Sequence, residues 1–191
     1  MAHISIIGTG KMGQAIAGLA AKGGHTVEQL NTSAGDKPVT GDIVVLAVPY
    51  PAVADIVAER GDQLVGKVVV DITNPIDSAT FDGLTVAADS SAAAEIAAAL
   101  PEARVLKAFN TNFAATLAAG TVGGQPTTVL IAGEDADAKA LLADVVGAAG
   151  LRAVDAGGLK RARELEAMAF LQISLAAAEK ISWTGGFGVV S

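Results

Sequence analysis

The 191-residue chain contains no cysteine, which excludes disulfides, thiolate nucleophiles and cysteine-ligated metals. It has two histidines, His3 and His25. Both open apolar runs, so they read as strand-edge residues rather than as a metal pair or a catalytic imidazole. Cations are outnumbered: 13 Lys and Arg face 20 Asp and Glu, giving a formal charge of −7. That balance offers no footprint for nucleic acid, and any bound anion must be held locally, by backbone amides or a few cations. Long apolar runs are also missing. Charges interrupt every stretch before the roughly 18 to 20 residues of a membrane-spanning helix, so no membrane partner is expected. Met1 leads almost directly into the run His3 to Ile7 without the features of a secretion signal, and the expected location is cytoplasmic.

What is present is a chain that is 51% hydrophobic, largely Ala and Val. At this length that suffices for one core, and 1–191 is read as one NAD(P)-binding domain with a C-terminal helix and tail at about 158–191. β-rich runs of about five residues alternate with helical stretches of about ten to fifteen, the pattern of a sheet covered by crossover helices. Strands are expected at 3–8, 25–30, 43–48, 67–72, 104–108, 127–132 and 152–155, and helices at 11–22, 50–59, 90–99, 111–119, 135–149 and 159–182. The predicted fold class is α/β, a doubly wound, mostly parallel, Rossmann-like sheet whose Ile- and Val-rich strands are buried on both faces. Pro51 marks a first helical turn, and Ser90 is expected to precede a capping pair with Glu95 or its neighbours. Only a dozen residues separate Leu30 from Ile43, with Gly35, Pro38 and Gly41 among them, so no regular crossover helix is expected there. Segment 74–89 lacks helical periodicity and reads as a loop or a short irregular excursion beside the site.

The strand His3 to Ile7 runs into Gly8-Thr9-Gly10-Lys11-Met12-Gly13, and a helix can begin near Lys11. In that context GxGxxG spacing is a dinucleotide-binding signal. Gly8 permits the tight turn, Gly10 lets a pyrophosphate approach the backbone, and Gly13 allows close helix-to-strand contact. Thr9 and Lys11 are either further contacts or solvent-facing. After the second strand, Asn31-Thr32-Ser33 occupy the place where an acid would bind the ribose hydroxyls of NAD, and Glu28 lies too early. Neutral donors there favour NADP(H) over NAD(H), with Lys37 as a candidate cation. Because open α/β sheets bind ligands at the carboxyl ends of their strands, three more segments are candidates: Ala47-Val48-Pro49-Tyr50, Ile72-Thr73-Asn74-Pro75 and Ala108-Phe109-Asn110-Thr111-Asn112.

Taken together, Ile6 to Gly13, Leu46 to Pro49, Asp71 to Pro75, Lys107 to Thr111, and Val154 to Leu159 followed by Ala162-Arg163-Glu164-Leu165-Glu166 resemble the deazaflavin (coenzyme F-420)-dependent NADP oxidoreductase family. The resemblance covers nearly the full length. It implies hydride transfer between NADP(H) and a deazaflavin or flavin-like ring. The Lys-Ala-Phe-Asn-Thr and Asp-Ala-Gly runs also resemble the oxidoreductase domain of six-transmembrane ferric reductases, which pass hydride from NADPH to flavin. Family members with NADP preference carry Ser-Arg or a similar basic pair after the second strand, where Asn31 and Thr32 stand here.

On this reading the protein supplies geometry rather than acid–base chemistry. Asn110 and Asn112 are expected to orient the nicotinamide carboxamide or the acceptor. Lys107 reads as a structural ion-pair partner, with a general acid for carbonyl reduction as the alternative. A small imine, carbonyl or quinone is a second acceptor class, in an apolar pocket near Phe109, Met168 and the aromatic tail. A non-catalytic redox sensor is a reading of a different kind. A homodimer through the C-terminal helix and the Trp183 region is also expected.

Overall fold

The Val- and Ile-rich runs form strands because branched side chains fit a pleated surface covered on both faces. In the computed structural model, which describes residues 1–31 and 37–190, β1 (His3–Ile7) is followed by α1 (Lys11–Lys22), β2 (Thr26–Leu30) and β3 (Ile43–Leu46). Next come α2 (Val53–Leu64), β4 (Val68–Asp71), α3 (Ala92–Ala99), β5 (Arg104–Lys107) and α4 (Ala114–Ala119). The chain continues through β6 (Thr121–Val122), β7 (Gln125–Pro126), β8 (Thr128–Gly133), α5 (Ala136–Ala148), β9 (Arg152–Gly157) and α6 (Ala162–Ala177). Single 3-10 turns, Tyr50–Ala52 and Leu159–Arg161, lead into α2 and α6.

Seven strands form one sheet in the order β2-β1-β3-β4-β5-β8-β9. β2 through β5 are parallel. The chain leaves β1 for β2 on one side and returns to β3 on the other, so the strand order reverses at β1. Such a switch point is where open sheets form their ligand crevice. The predicted doubly wound architecture is the one observed, with two strands reversed. β8 runs antiparallel to β5 and overlaps only its end, Leu106 opposite Gly133 and Lys107 opposite Ala132, while β9 runs parallel to β8. Thr128 to Ile131 therefore stand beyond the carboxyl rim of β5.

Each face of the sheet buries an aliphatic layer. Ile4, Ile6, Val45 and Val70 pack with Ile16, Leu142 and Val146 on one side; Ile7, Val44, Leu46 and Val69 pack with Ile56, Leu64 and Ile96 on the other. Burying one such side chain fully contributes about 1.5–3 kcal/mol, so these layers outweigh any single polar contact in fixing the sheet.

Local differences have local causes. The cap of α3 is Ser91, not Ser90: its side chain accepts from Ala94 N–H at 3.1 Å. α6 ends at Ala177 rather than near 182, because Glu179 adopts a left-handed φ of 56° and Lys180 N–H closes back on the Leu175 carbonyl at 2.9 Å. That is the geometry of a helix C-terminus. The β6–β7 pair turns at Gly123-Gly124, with φ of 57° and 78°. A two-glycine hairpin signal was there to be read. Segment 74–89 forms an irregular excursion up to the first residues of α3, as expected, pinned by an Ile76–Leu84 bridge. No helix lies between β2 and β3 among the described residues, and among them no helix is long and apolar enough to cross a membrane.

Candidate active site

β1 ends at Ile7 and α1 starts at Lys11, so Gly8-Thr9-Gly10 makes the whole connection. Gly8 has φ +123°, and a Cβ there would lie 2.1 Å from the Ala47 carbonyl oxygen. A Cβ at Gly13 would lie 2.4 Å from the Gly8 carbonyl oxygen, so only glycine lets α1 sit this close to the strand end. At Gly10 a Cβ would meet nothing within 4 Å. Protein packing does not require that glycine; open space lies above it. Gly10 is also the N-cap of α1, where no side chain caps the helix and no acid occupies the first turn. Free N–H groups and the positive end of the helix dipole face this opening and favour a diphosphate.

Thr9 Oγ1 donates to Asn31 Oδ1 at 3.4 Å, tying the end of β2 to the bend. Glu28 is engaged elsewhere. Its carboxylate accepts from Ser5 Oγ, from Thr40 N–H at 3.0 Å and from Thr40 Oγ1 at 2.8 Å. Burial disfavours its charge, yet these donors together hold the carboxyl below its ordinary value. Thr32 and Ser33 lie outside the described residues, so Asn31 alone represents the expected ribose-phosphate segment.

Beside the bend opens a cavity of about 410 Å³, lined by Lys11 and Met12 of α1, Ile72 and Asn74 beyond β4, Asn110 and Asn112 beyond β5, and Ile173 of α6. Phe113 and Trp183 close it, their rings tilted at 51° with centroids 5.0 Å apart. The segment after β5 turns at Phe109, whose φ is +61° and whose ring is buried in the core. Asn110 follows. Its Nδ2 donates to Asn74 Oδ1 and to the Leu165 carbonyl of α6, both at 3.0 Å, and Asn74 Nδ2 donates to the Asn110 carbonyl at 3.1 Å. Asn112 Nδ2 donates to the Thr128 carbonyl at 3.0 Å. The side-chain oxygens of Asn110 and Asn112 are buried without a partner, as is Thr73 Oγ1. Flipping either amide would set its oxygen against a carbonyl, so the network fixes the orientation. An unmet buried acceptor costs about 1–3 kcal/mol, and Asn110 and Asn112 are also residues of the cavity lining.

Behind the cavity wall lies a buried charge cluster. Lys107 Nζ is 2.7 Å from Asp71 Oδ2, 2.7 Å from Glu166 Oε1 and 2.6 Å from the Thr73 carbonyl, and all three charged side chains are fully buried. An ammonium has three donors; all are engaged, which makes Lys107 the structural ion-pair partner and withdraws it from acid catalysis. Glu166 Oε2 also accepts from Ala92 N–H at 3.0 Å, at the start of α3. Burial pushes its carboxyl above the ordinary value, against the pull of Lys107 and Ala92 N–H. Gln172 bridges the same region: its Nε2 donates to the Thr111 carbonyl at 3.1 Å, and its Oε1 accepts from Phe187 N–H at 2.8 Å.

The bend residues Lys11 and Met12 thus meet Asn74, Asn110 and Asn112 at one cavity. Other expected contacts lie elsewhere. Ala108, Phe109, Thr73, Pro75 and Val48 are buried, Ala47 is half-buried against the bend, and Pro49 is exposed. The aromatic wall is formed by Phe113 and Trp183 rather than by Phe109, and Met168 does not line the cavity. Tyr50 turns to a groove between α2 and α3, where its hydroxyl donates to Glu95; burial, then the Glu95 carboxylate, raise its phenol above the ordinary value. Sequence reasoning gave no role to Glu166 or Gln172. Their signal was positional: both fall on the buried stripe of α6 with Ala162, Leu165, Ala169 and Ala176.

A family model described as NADP oxidoreductase, coenzyme F420-dependent, matches residues 28–75. The F420-dependent NADP reductase of Methanocaldococcus jannaschii is 30% identical over 154 residues, covering 78% of this chain and 69% of that protein. The chain belongs to the F420-dependent NADP oxidoreductase family. As a member it is an NADP-dependent oxidoreductase, and the resemblance carried by its sequence motifs holds. The crystal structure of a putative F420-dependent NADP-reductase from Arthrobacter sp. FB24 matches this reductase over 100% of both chains, with a TM-score of 0.85 and 26% identity. Metalloreductase STEAP3 of Rattus norvegicus is 36% identical over 107 residues, which are 56% of this chain and 21% of that protein. The likeness to ferric reductases therefore concerns one part of a much longer chain.

Proposed function

We propose that this reductase transfers hydride between NADP(H) and a deazaflavin or flavin-like ring, acting as one dinucleotide-binding unit with α6 and the tail as one wall of its site. The observation that carries this reading is the juxtaposition of the open glycine bend with an apolar cavity lined by Asn74, Asn110 and Asn112. NADPH, when bound, supplies a hydride, which with one proton reduces the acceptor and leaves NADP⁺. The chain's residues bind, orient and exclude water. Gly8, Gly10 and Gly13 with the amides of Lys11 and Met12 hold the pyrophosphate, Thr9 and Asn31 border the adenosine half, and Asn74, Asn110 and Asn112 face the nicotinamide and the acceptor. Met12, Ile173, Phe113 and Trp183 keep the cavity dry.

NADP(H) is favoured over NAD(H) because Glu28, the acid of β2 among the described residues, is engaged by Ser5 and Thr40 and is not available to ribose hydroxyls. Exposed Leu171, Phe187 and Val190 support a homodimer through the C-terminal region, and sedimentation showing only monomer at micromolar concentration would remove that part. The test of function follows NADPH absorbance with coenzyme F420, flavin mononucleotide, a quinone and a cyclic imine. Turnover with F420 or flavin is expected. Turnover confined to quinone or imine would replace the acceptor class, and tight binding with no turnover at all would indicate a redox sensor. Asn110→Ala is expected to lower turnover more than NADPH affinity; equal losses would count against an orienting role.

A further inference from the structure

Three sequence segments that carry the family resemblance each contribute one charged side chain to a single buried cluster: Asp71, Lys107 and Glu166. Four elements meet there. β4 brings Asp71, β5 brings Lys107, α6 brings Glu166, and α3 brings the Ala92 N–H that Glu166 accepts at 3.0 Å. The residues beside the cluster make the contact that matters to the cavity. Leu165, next to Glu166, offers the carbonyl that receives Asn110 Nδ2 at 3.0 Å, and Asn110 lies three residues beyond Lys107. Both ends of the Asn110–Leu165 bond are thus tethered to the same ion cluster.

We propose that Glu166 is a positioning residue for hydride transfer: by locking the first turns of α6 to Lys107, it holds the Asn110 carboxamide in place at the cavity wall.

Stability alone does not account for the cluster, since a buried ion group is often no more stabilising than apolar residues of the same volume. Its effect on placement is larger, because a shift of about 1 Å at a reacting centre costs on the order of 100-fold in rate. The Glu166–Lys107 pair ties α6 to the end of β5 while Asp71 of β4 holds the same ammonium, and that tie sets where the amide of Asn110 is held.

The inference rests on the reading that Asn110 orients the ligand, and the test separates the two. Glu166→Gln keeps the shape and an oxygen for Ala92 N–H while removing the charge that Lys107 meets. Its kcat is expected to fall about tenfold with NADPH Kd changed by less than about twofold, and no further fall is expected when it is combined with Asn110→Ala. In the ligand-free protein the Asn110 side-chain amide hydrogens are expected to exchange with solvent at least about tenfold faster in Glu166→Gln than in the wild type. Losses that multiply in the double variant, a rise in Kd matching the fall in kcat, or unchanged amide exchange would overturn the proposal. An Asn110→Ala variant with undiminished kcat would overturn the orienting role itself, and the positioning role with it. Should Glu166→Gln not fold, Glu166→Asp, which keeps the charge but shortens the reach, enters the same cycle with the same expected pattern.

Discussion

Replacing Lys107 with Met would leave Asp71 and Glu166 fully buried without their shared cation. The volume is nearly kept, so the loss is electrostatic rather than a cavity. Breaking a buried pair in this way costs about 3–5 kcal/mol, a large share of the roughly 5–15 kcal/mol that stabilises a typical domain. For a chain of this size that corresponds to a fall in Tm of roughly 6 to 20 °C. The penalty must depend on pH. Burial already raises the Glu166 carboxyl above its ordinary value of 4.5, and Lys107 is the main influence that lowers it; without Lys107 the folded-state value rises further. A carboxyl with a raised folded pKa binds protons more readily in the native state. Stability is therefore lost as pH climbs from about the unfolded value through the folded one, and regained as pH falls back through that window. Thermal unfolding of Lys107→Met and wild type across a pH series measures both effects. The deficit should be largest at neutral and alkaline pH and should narrow on acidification. A variant as stable as wild type at neutral pH, or a deficit that widens in acid, would refute this account of the cluster.

Gly10→Ala should leave Tm unchanged and weaken NADPH binding at least about tenfold by calorimetry, because its Cβ meets open space in the protein and stands where a pyrophosphate approaches. Gly13→Ala should lower both affinity and Tm, since its Cβ falls 2.4 Å from the Gly8 carbonyl oxygen; unchanged binding in both variants would end the proposed role of the bend. Trp183 is the chain's one tryptophan, so its fluorescence should respond to acceptor binding, and Trp183→Ala should raise KM for the acceptor more than for NADPH. Lys139→Ala, which removes a pair with the mostly exposed Asp155, should change stability by less than about 1 kcal/mol and leave turnover unchanged.

The bend was legible because each glycine answers a local steric demand that spacing alone expresses. Asn74, Asn110 and Asn112 were legible one level up, since a strand followed by a turn in a parallel sheet places those residues at the carboxyl rim. The reversal of β8 was not: a run such as Thr128-Val129-Leu130-Ile131 has the same pattern in either direction, and only its pairing with Leu106 and Lys107 decides. Phe109 reads from its place after β5 as a wall of the acceptor pocket, but its ring is buried in the core, and its left-handed backbone belongs to the turn that carries Asn110 across to Asn74. Glu166 and Gln172 were hidden because their partners lie on other elements, at Lys107, Ala92, Thr111 and Phe187. Ser90 and Ser91 are equally good caps in sequence, and the one chosen is settled by which hydroxyl reaches Ala94 N–H.

The backward run of β8 also shapes the cleft. With four residues past the end of β5, at about 3.3 Å each, it raises a parapet of roughly 13 Å along one bank of the cleft, and Asn112 is moored to it through the Thr128 carbonyl. At the same cavity stand Lys11, a charged side chain, and Trp183, an aromatic one.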